Sequence, residues 1–463
     1  MSVRVLVVLL GATLLSASAC ETKVDNAQHV EHIRSLVAAT PEWVGKDPLA
    51  RRLWQVERTF YKARGFTPAW VDGDRTTSQW KDLVQQLKYS ERHGLDPAAY
   101  HVAEFEQLRD QSQTRTSGTR FPLERVPDLD VRMTFAYLRY AADLLGWDEN
   151  PKAIYSNWIA APRREDLAAR LSGAVASGSV RDSLESLAPA HQQYKGLQAA
   201  LARERQSPDG HADLIRMNME RWRWVPHDLG ARYVLVNVAA YQMQVMEGDR
   251  PALSMRVIVG KPDAPTPLFS DQMTYVVFSP YWNIPADILK NEALPHLAKD
   301  PEWLRRNNME VVGTRGDVVD ASAVDWSDED AVKAVRIRQA PGPENALGLV
   351  KFIFPNNFSV YLHDTPTDGL FFKERRALSH GCVRVENPVA LAQYVMSDRP
   401  EWTAERIATA MHGQEEKTVK LKAPIPVHIG YWTAWVEPDG QTVTYTDDPY
   451  GIDARQRQLM ARR

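Results

Sequence analysis

The feature that most constrains the fold is a change of hydrophobic period near residue 205 of the 463-residue chain. Before it, apolar residues recur at helical spacing. Trp80, Leu83, Val84 and Leu87 follow Ser78 as a candidate cap, and Phe135, Leu138, Ala142 and Leu145 precede Gly146 as a candidate stop. Leu167 with Leu171, then Leu184 with Leu187, extend the pattern. After it, β-branched and alternating runs predict strands at 233–238, 242–246, 255–259, 275–278, 351–354, 359–363, 427–432 and 442–445. The two periods bury different kinds of face, so the fold class is α+β. A mostly helical N-terminal domain is expected over 42–205 and a β-rich domain over 206–450, with a tail at 451–463. The polar stretch "RQSPDGHADL" at 205–214 suits a linker.

Between 286 and 339 the β pattern is interrupted by a polar, partly helical segment with an acidic middle, and this reads as an insertion. A long insertion in a catalytic domain is often a lid, and it is equally often a surface excursion without a role.

Lys plus Arg number 56 against 59 Asp plus Glu, a net charge of −3 with no long basic run, which excludes nucleic acid as a partner. The opening "MSVRVLVVLLGATLLSASA" has a positive charge at Arg4, an apolar run over 5–15 and small residues up to Ala19. It reads as a signal peptide over 1–19, too short for a membrane span. Cys20 follows at once, as in lipoprotein signals whose new terminal cysteine is acylated. Ala17 stands where such signals usually carry leucine, and ordinary cleavage after Ala19 would leave the same Cys20. Residues 20–41 are read as a polar tether. The expected location is the periplasm or cell envelope, with membrane attachment through lipid on Cys20.

The chain has only two cysteines, so a lipidated Cys20 leaves Cys382 without a partner. A lone thiol in an oxidising compartment is either buried and inert or kept for its reactivity. A nucleophilic cysteine needs a base within reach and backbone donors for the oxyanion formed on attack. Ser379-His380-Gly381-Cys382 supplies a glycine-eased turn for those donors. His363, ending the strand expected over 359–363, is the candidate base, while His380 lies too close in sequence and instead binds substrate or buttresses the turn. Arg384 offers a cation for a substrate carboxylate. Other readings remain: His363 as a structural histidine beside Asp364, Arg384 as a surface charge, and the two histidines with Cys382 as metal ligands. The metal set lacks a fourth ligand at usual spacing.

"YLHDTPTDGLFFKERRALSHGCVRV" resembles the catalytic motif of the bacterial L,D-transpeptidases. "MNMERWRWVPHDLGARYVLVNVAAY", "VIVGKPDAPTP", "SPYWNIP", "PGPENALGLVKF" and "HIGYWTAWV" resemble the larger exported members of that family. "FYKARGFTPAW" and "ERHGLDPAAYH" are similar to their helical scaffold domain. The resemblance implies a scaffold domain followed by a catalytic domain with an inserted capping subdomain. It implies Cys382 as nucleophile and His363 as base, with Tyr361, Ser379, His380, Gly381 and Arg384 lining the site and the backbone amides around Gly381 and Cys382 as the oxyanion hole. Many family motifs have asparagine where this chain has Arg384, and the larger members share the arginine. Several relatives carry a peptidoglycan-binding module between the two domains, for which the linker here has no room.

The implied reaction is attack of Cys382 on the third residue of a peptidoglycan stem, loss of the terminal D-alanine, and transfer of the acyl group to a neighbouring stem amine as a 3-3 cross-link. No metal or cofactor is required, and family members accept carbapenem β-lactams as donor mimics. Two alternatives are a hydrolase of the same fold, in which water resolves the thioester, and a catalytically silent wall-binding lipoprotein. The sequence names no protein partner.

Overall fold

The computed structural model describes residues 26–73, 75–113, 123–161, 163–205, 210–300 and 302–461. The signal peptide, Cys20 and the first residues of the tether lie outside them.

The N-terminal half is helical: α1 (Ala27–Ala38), α2 (Pro48–Ala63), α3 (Ser78–Lys88), α4 (Val102–Gln113), α5 (Val126–Leu144), α6 (Pro151–Ile154), α7 (Leu167–Ser177) and α8 (Val180–Glu185). A short hairpin of β1 (Val71–Asp72) and β2 (Arg75–Thr76) lies between α2 and α3. Thr77, one residue before the expected cap, accepts the Trp80 N–H and starts α3. The proposed tether is folded where it is described. His29, Ile33 and Val37 recur every four residues, so α1 has one buried face and joins the helical core.

Helices α9 (Gln192–Glu204) and α10 (Ala212–Arg223) flank the expected linker. They do not part there. Tyr194, Leu197 and Leu201 of α9 pack with Ile215, Met219 and Trp222 and with Tyr233 and Trp432 of the second half, so the last helix assigned to the N-terminal domain shares a core with the β-rich one.

The second half contains β3 (Arg232–Asn237), β4 (Gln242–Glu247), β5 (Arg250–Gly260), β6 (Phe269–Phe278), β7 (Trp282–Asn283), β8 (Met309–Gly313), β9 (Val318–Val319), β10 (Val335–Gln339), β11 (Val350–Ile353), β12 (Leu362–His363), β13 (Ala377–Ser379), β14 (Val383–Val385), β15 (Lys417–Gly430), β16 (Ala434–Val436) and β17 (Val443–Tyr445). The main sheet runs β13-β5-β14-β12-β11-β6-β15-β3-β4, and a further β4–β5 pairing closes it on itself around an apolar core. Closure removes most free strand edges.

The insertion folds as a small subdomain. β7, β10, β8 and β9 form a second sheet over Leu297, Leu304, Val311 and Ile337. Buried Asn345 ties its base by donating from Nδ2 to the carbonyls of Pro280 (3.0 Å), Gln339 (3.3 Å) and Ala340 (2.9 Å). The expected C-terminal tail is likewise structured: the helix Ile452–Met460 is pinned by a 2.5 Å contact from buried Arg221 on α10 to Asp453.

The two halves also meet where the chain after α6 crosses the β-rich core. Ile154, Tyr155 and Trp158 are buried there, Ile159 N–H donates to the Leu268 carbonyl at 2.8 Å, and Trp158 stacks edge-on against Trp224 at 4.8 Å.

Candidate active site

β12 and β14 run parallel, with Leu362 beside Val383 and His363 beside Arg384. Leu362, Val383 and Val385 are in the core. Side chains alternate across a strand, so Tyr361, His363, Cys382 and Arg384 share the opposite face. The ladder reaches the cysteine, because Val383 N–H donates to the Tyr361 carbonyl at 3.2 Å. Two short neighbouring strands thus collect residues about twenty positions apart.

The strand expected over 359–363 is shorter than its sequence pattern. Asn356 Oδ1 accepts the N–H groups of Phe358 (3.0 Å) and Val360 (3.2 Å), while its Nδ2 donates to the carbonyls of Phe354 (2.6 Å) and Val360 (2.7 Å). The chain is held in a turn, and Ser359 takes a left-handed φ of 55°. Its carbonyl faces the site and accepts from the Cys382 thiol at 3.7 Å.

Some Cys382 surface stays open, but protein closes around the sulfur. Burial pushes the thiol up to about 11, opposed by hydrogen bonding with Tyr361 and by the Arg384 cation. His363 is buried, and Nδ1 donates to the Asp364 carbonyl at 2.5 Å, which leaves Nε2 as the basic nitrogen. Burial lowers His363 to about 3, with Arg384 acting in the same direction. At neutral pH the resting pair is therefore thiol and imidazole rather than thiolate and imidazolium. Among the described residues no hydrogen bond joins the two. Such bonds often form only once a substrate is bound.

Ser379 Oγ accepts the Gly381 N–H at 3.2 Å and donates to the Cys382 carbonyl at 2.5 Å, closing the turn around the thiol. Gly381 has a φ of 114°, which side-chain-bearing residues rarely adopt. Its own N–H is thus engaged. The Cys382 N–H makes no hydrogen bond among the described residues and is the amide free to meet an oxyanion.

His380 turns outward, and its Nε2 lies 2.7 Å from Glu292 Oε1 on the insertion. Half-buried Arg384 donates from Nη1 to Thr367 Oγ1 at 3.4 Å, while its buried Nε has no partner. Burial depresses its pKa, as expected of a cation short of compensating anions. Among the described residues no group of three His, Cys, Asp or Glu side chains is placed to hold a metal.

A thiol, a neutral imidazole, a free backbone donor and an under-satisfied guanidinium on one face are a set suited to acyl transfer. Residues 231–427 match the family model of the L,D-transpeptidase catalytic domain, and residues 56–201 match that of the scaffold domain. A Haemophilus influenzae protein named for the same family is 32% identical over 322 residues, covering 67% of this chain and 64% of the relative. The chain belongs to the L,D-transpeptidase family.

Among solved structures, it is similar to an L,D-transpeptidase from Mycobacterium smegmatis (13% identity, 43% of this chain and 58% of that one, TM-score 0.20). It is also similar to L,D-transpeptidase 1 of Mycobacterium tuberculosis (12% identity, 43% and 60%, TM-score 0.18). The chain thus spans less than two thirds of the relatives it matches.

Within this L,D-transpeptidase catalytic domain the structure gathers Tyr361, His363, Ser379, Gly381, Cys382 and Arg384, while His380 faces the insertion. Sequence reasoning missed Ser359, Asn356, Glu292 and Thr266. An Asn-Asn pair before "FSVYLH" was the available signal for the Asn356 turn, and Thr266 lay unread within "VIVGKPDAPTP".

Proposed function

We propose that this chain is a peptidoglycan L,D-transpeptidase acting through a thioester on Cys382. As Cys382 Sγ bonds to the carbonyl carbon of the third stem residue, its proton passes to His363 Nε2. The carbonyl oxygen gains negative charge beside the Cys382 N–H. The tetrahedral intermediate then expels the amine of the terminal D-alanine, which takes the proton back from His363, and a thioester remains. The amine of a neighbouring stem attacks that thioester, displaces the thiol and completes a 3-3 cross-link. Arg384, with an unmatched donor, suits a carboxylate of the stem. The enzyme works outside the cytoplasm, tethered by lipid on Cys20.

The observation that carries this reading is the single face shared by Tyr361, His363, Cys382 and Arg384 through the parallel pairing of β12 with β14. The test is mass spectrometry of purified sacculi after incubation with the protein and muramidase digestion. New dimers joined through third residues are expected. Trimmed tripeptide monomers alone would make the enzyme a hydrolase, and an unchanged digest would contradict both.

A further inference from the structure

Beside the catalytic turn, β5 ends at Gly260 and the chain bends through 261–265 to Thr266. A Cβ on Gly260 would lie 2.3 Å from the Ala264 carbonyl oxygen and 2.6 Å from the Thr266 N, so only glycine permits this bend. Fully buried Thr266 is held at every polar atom. Its Oγ1 accepts the Gly260 N–H at 2.9 Å and donates to the Gly381 carbonyl at 2.8 Å, so the direction of its hydroxyl proton is fixed. Its N–H donates to Tyr450 Oη at 3.1 Å. Its carbonyl accepts from Tyr155 Oη at 3.1 Å, and Tyr155 belongs to the segment that follows α6.

The consequence follows from peptide geometry. In a trans peptide the C=O and the next N–H point in opposite directions, so a group that fixes the Gly381 carbonyl also aims the Cys382 N–H. Gly381, with its φ of 114°, and Cys382 lie between β13 and β14 and belong to neither strand, so no ladder position of their own sets that peptide. Building on the acyl-transfer reading above, we propose that Thr266 is a positioning residue that aims the Cys382 N–H at the developing oxyanion, and that Tyr155 makes the helical half of the chain part of this support. The helical domain is thereby coupled to the chemistry itself, through a path of two hydrogen bonds and one peptide.

The test separates oxyanion stabilisation from general damage by comparing two reagents on the purified full chain. p-Nitrophenyl acetate acylates a thiol through a tetrahedral oxyanion, whereas iodoacetamide alkylates it at a saturated carbon and forms none. Both products are read by mass spectrometry of the peptide containing Cys382. Thr266→Val should slow acylation on the order of 10- to 100-fold, a substantial part of the loss of one oxyanion donor, while alkylation stays within about twofold. Thr266→Ser should restore acylation to near the wild-type rate. Tyr155→Phe should slow it by about fivefold, the equivalent of one hydrogen bond.

Wild-type acylation in Thr266→Val, or equal loss of acylation and alkylation, would overturn the role of Thr266. An unchanged rate in Tyr155→Phe would remove the helical domain from it. Neither reagent is a peptidoglycan fragment, so failure of the enzyme on stem peptides would count against the functional reading alone.

Discussion

At Cys382 burial opposes the chemistry, because a thiol pushed up to about 11 supplies little thiolate at neutral pH. His363, lowered to about 3, offers a base that stays neutral down to strongly acid solution. The expected profile follows from these two values. Acylation by a soluble donor should be nearly flat between pH 5 and 9, with no break near the ordinary histidine value of about 6.5, because His363 protonates only far below it. His363→Ala should lose on the order of 10²- to 10⁴-fold at pH 7 and recover toward pH 11 as the thiol ionises unaided. A wild-type acid limb centred near 6.5, or an equal loss for His363→Ala at all pH values, would contradict the neutral pair. Cys382 and His363 are legible in the sequence as candidates, one beside Gly381 and the other at the end of an apolar strand pattern. Ser359 and Thr266 are not, since one acts through a backbone carbonyl and the other through a hydroxyl whose partner lies 115 positions away.

Among the elements, the insertion shows where pattern reading fails. β3 and β4 run close to their sequence signals because their apolar runs face one continuous core, whereas only the end of the fourteen-residue β15 shows such a signal. In the insertion's sheet β7 and β9 have two residues each, too few to display a period, and the polar composition conceals a core built on four buried residues. The C-terminal helix is hidden for a similar reason, with only Ile452, Asp453 and Gln456 of its nine residues buried. The insertion reaches the catalytic turn through Glu292 and His380, whose side chains are 48% and 34% exposed. A pair this open contributes only about 0 to 1 kcal/mol. Glu292→Gln should therefore leave the thermal midpoint within a few degrees, while changing KM or kcat for stem peptide by about three- to tenfold if the insertion gates the site. Unchanged kinetics would make the insertion a surface excursion.

For the molecule as a whole, the order of a helical half and a β-rich half is legible from the change of period, and the seam between them is not. α9 carries a helical signal yet packs against Tyr233 and Trp432, and the chain after α6 leaves the helical half to bury Tyr155 and Trp158 in the other. Periodicity reports which face of an element is apolar and is silent about which core receives it. The two halves consequently share cores and a hydrogen-bonded path to Gly381. The central claim, that Cys382 takes an acyl group from a stem peptide, is most directly tested by intact-protein mass spectrometry after acid quench of a brief incubation with a synthetic tetrapeptide stem ending in D-alanine. The account requires a mass gain equal to the tripeptide acyl group, mapped to the peptide holding Ser379-His380-Gly381-Cys382 and absent from Cys382→Ala. No adduct on the folded wild-type protein, or an adduct that persists in Cys382→Ala, would contradict it.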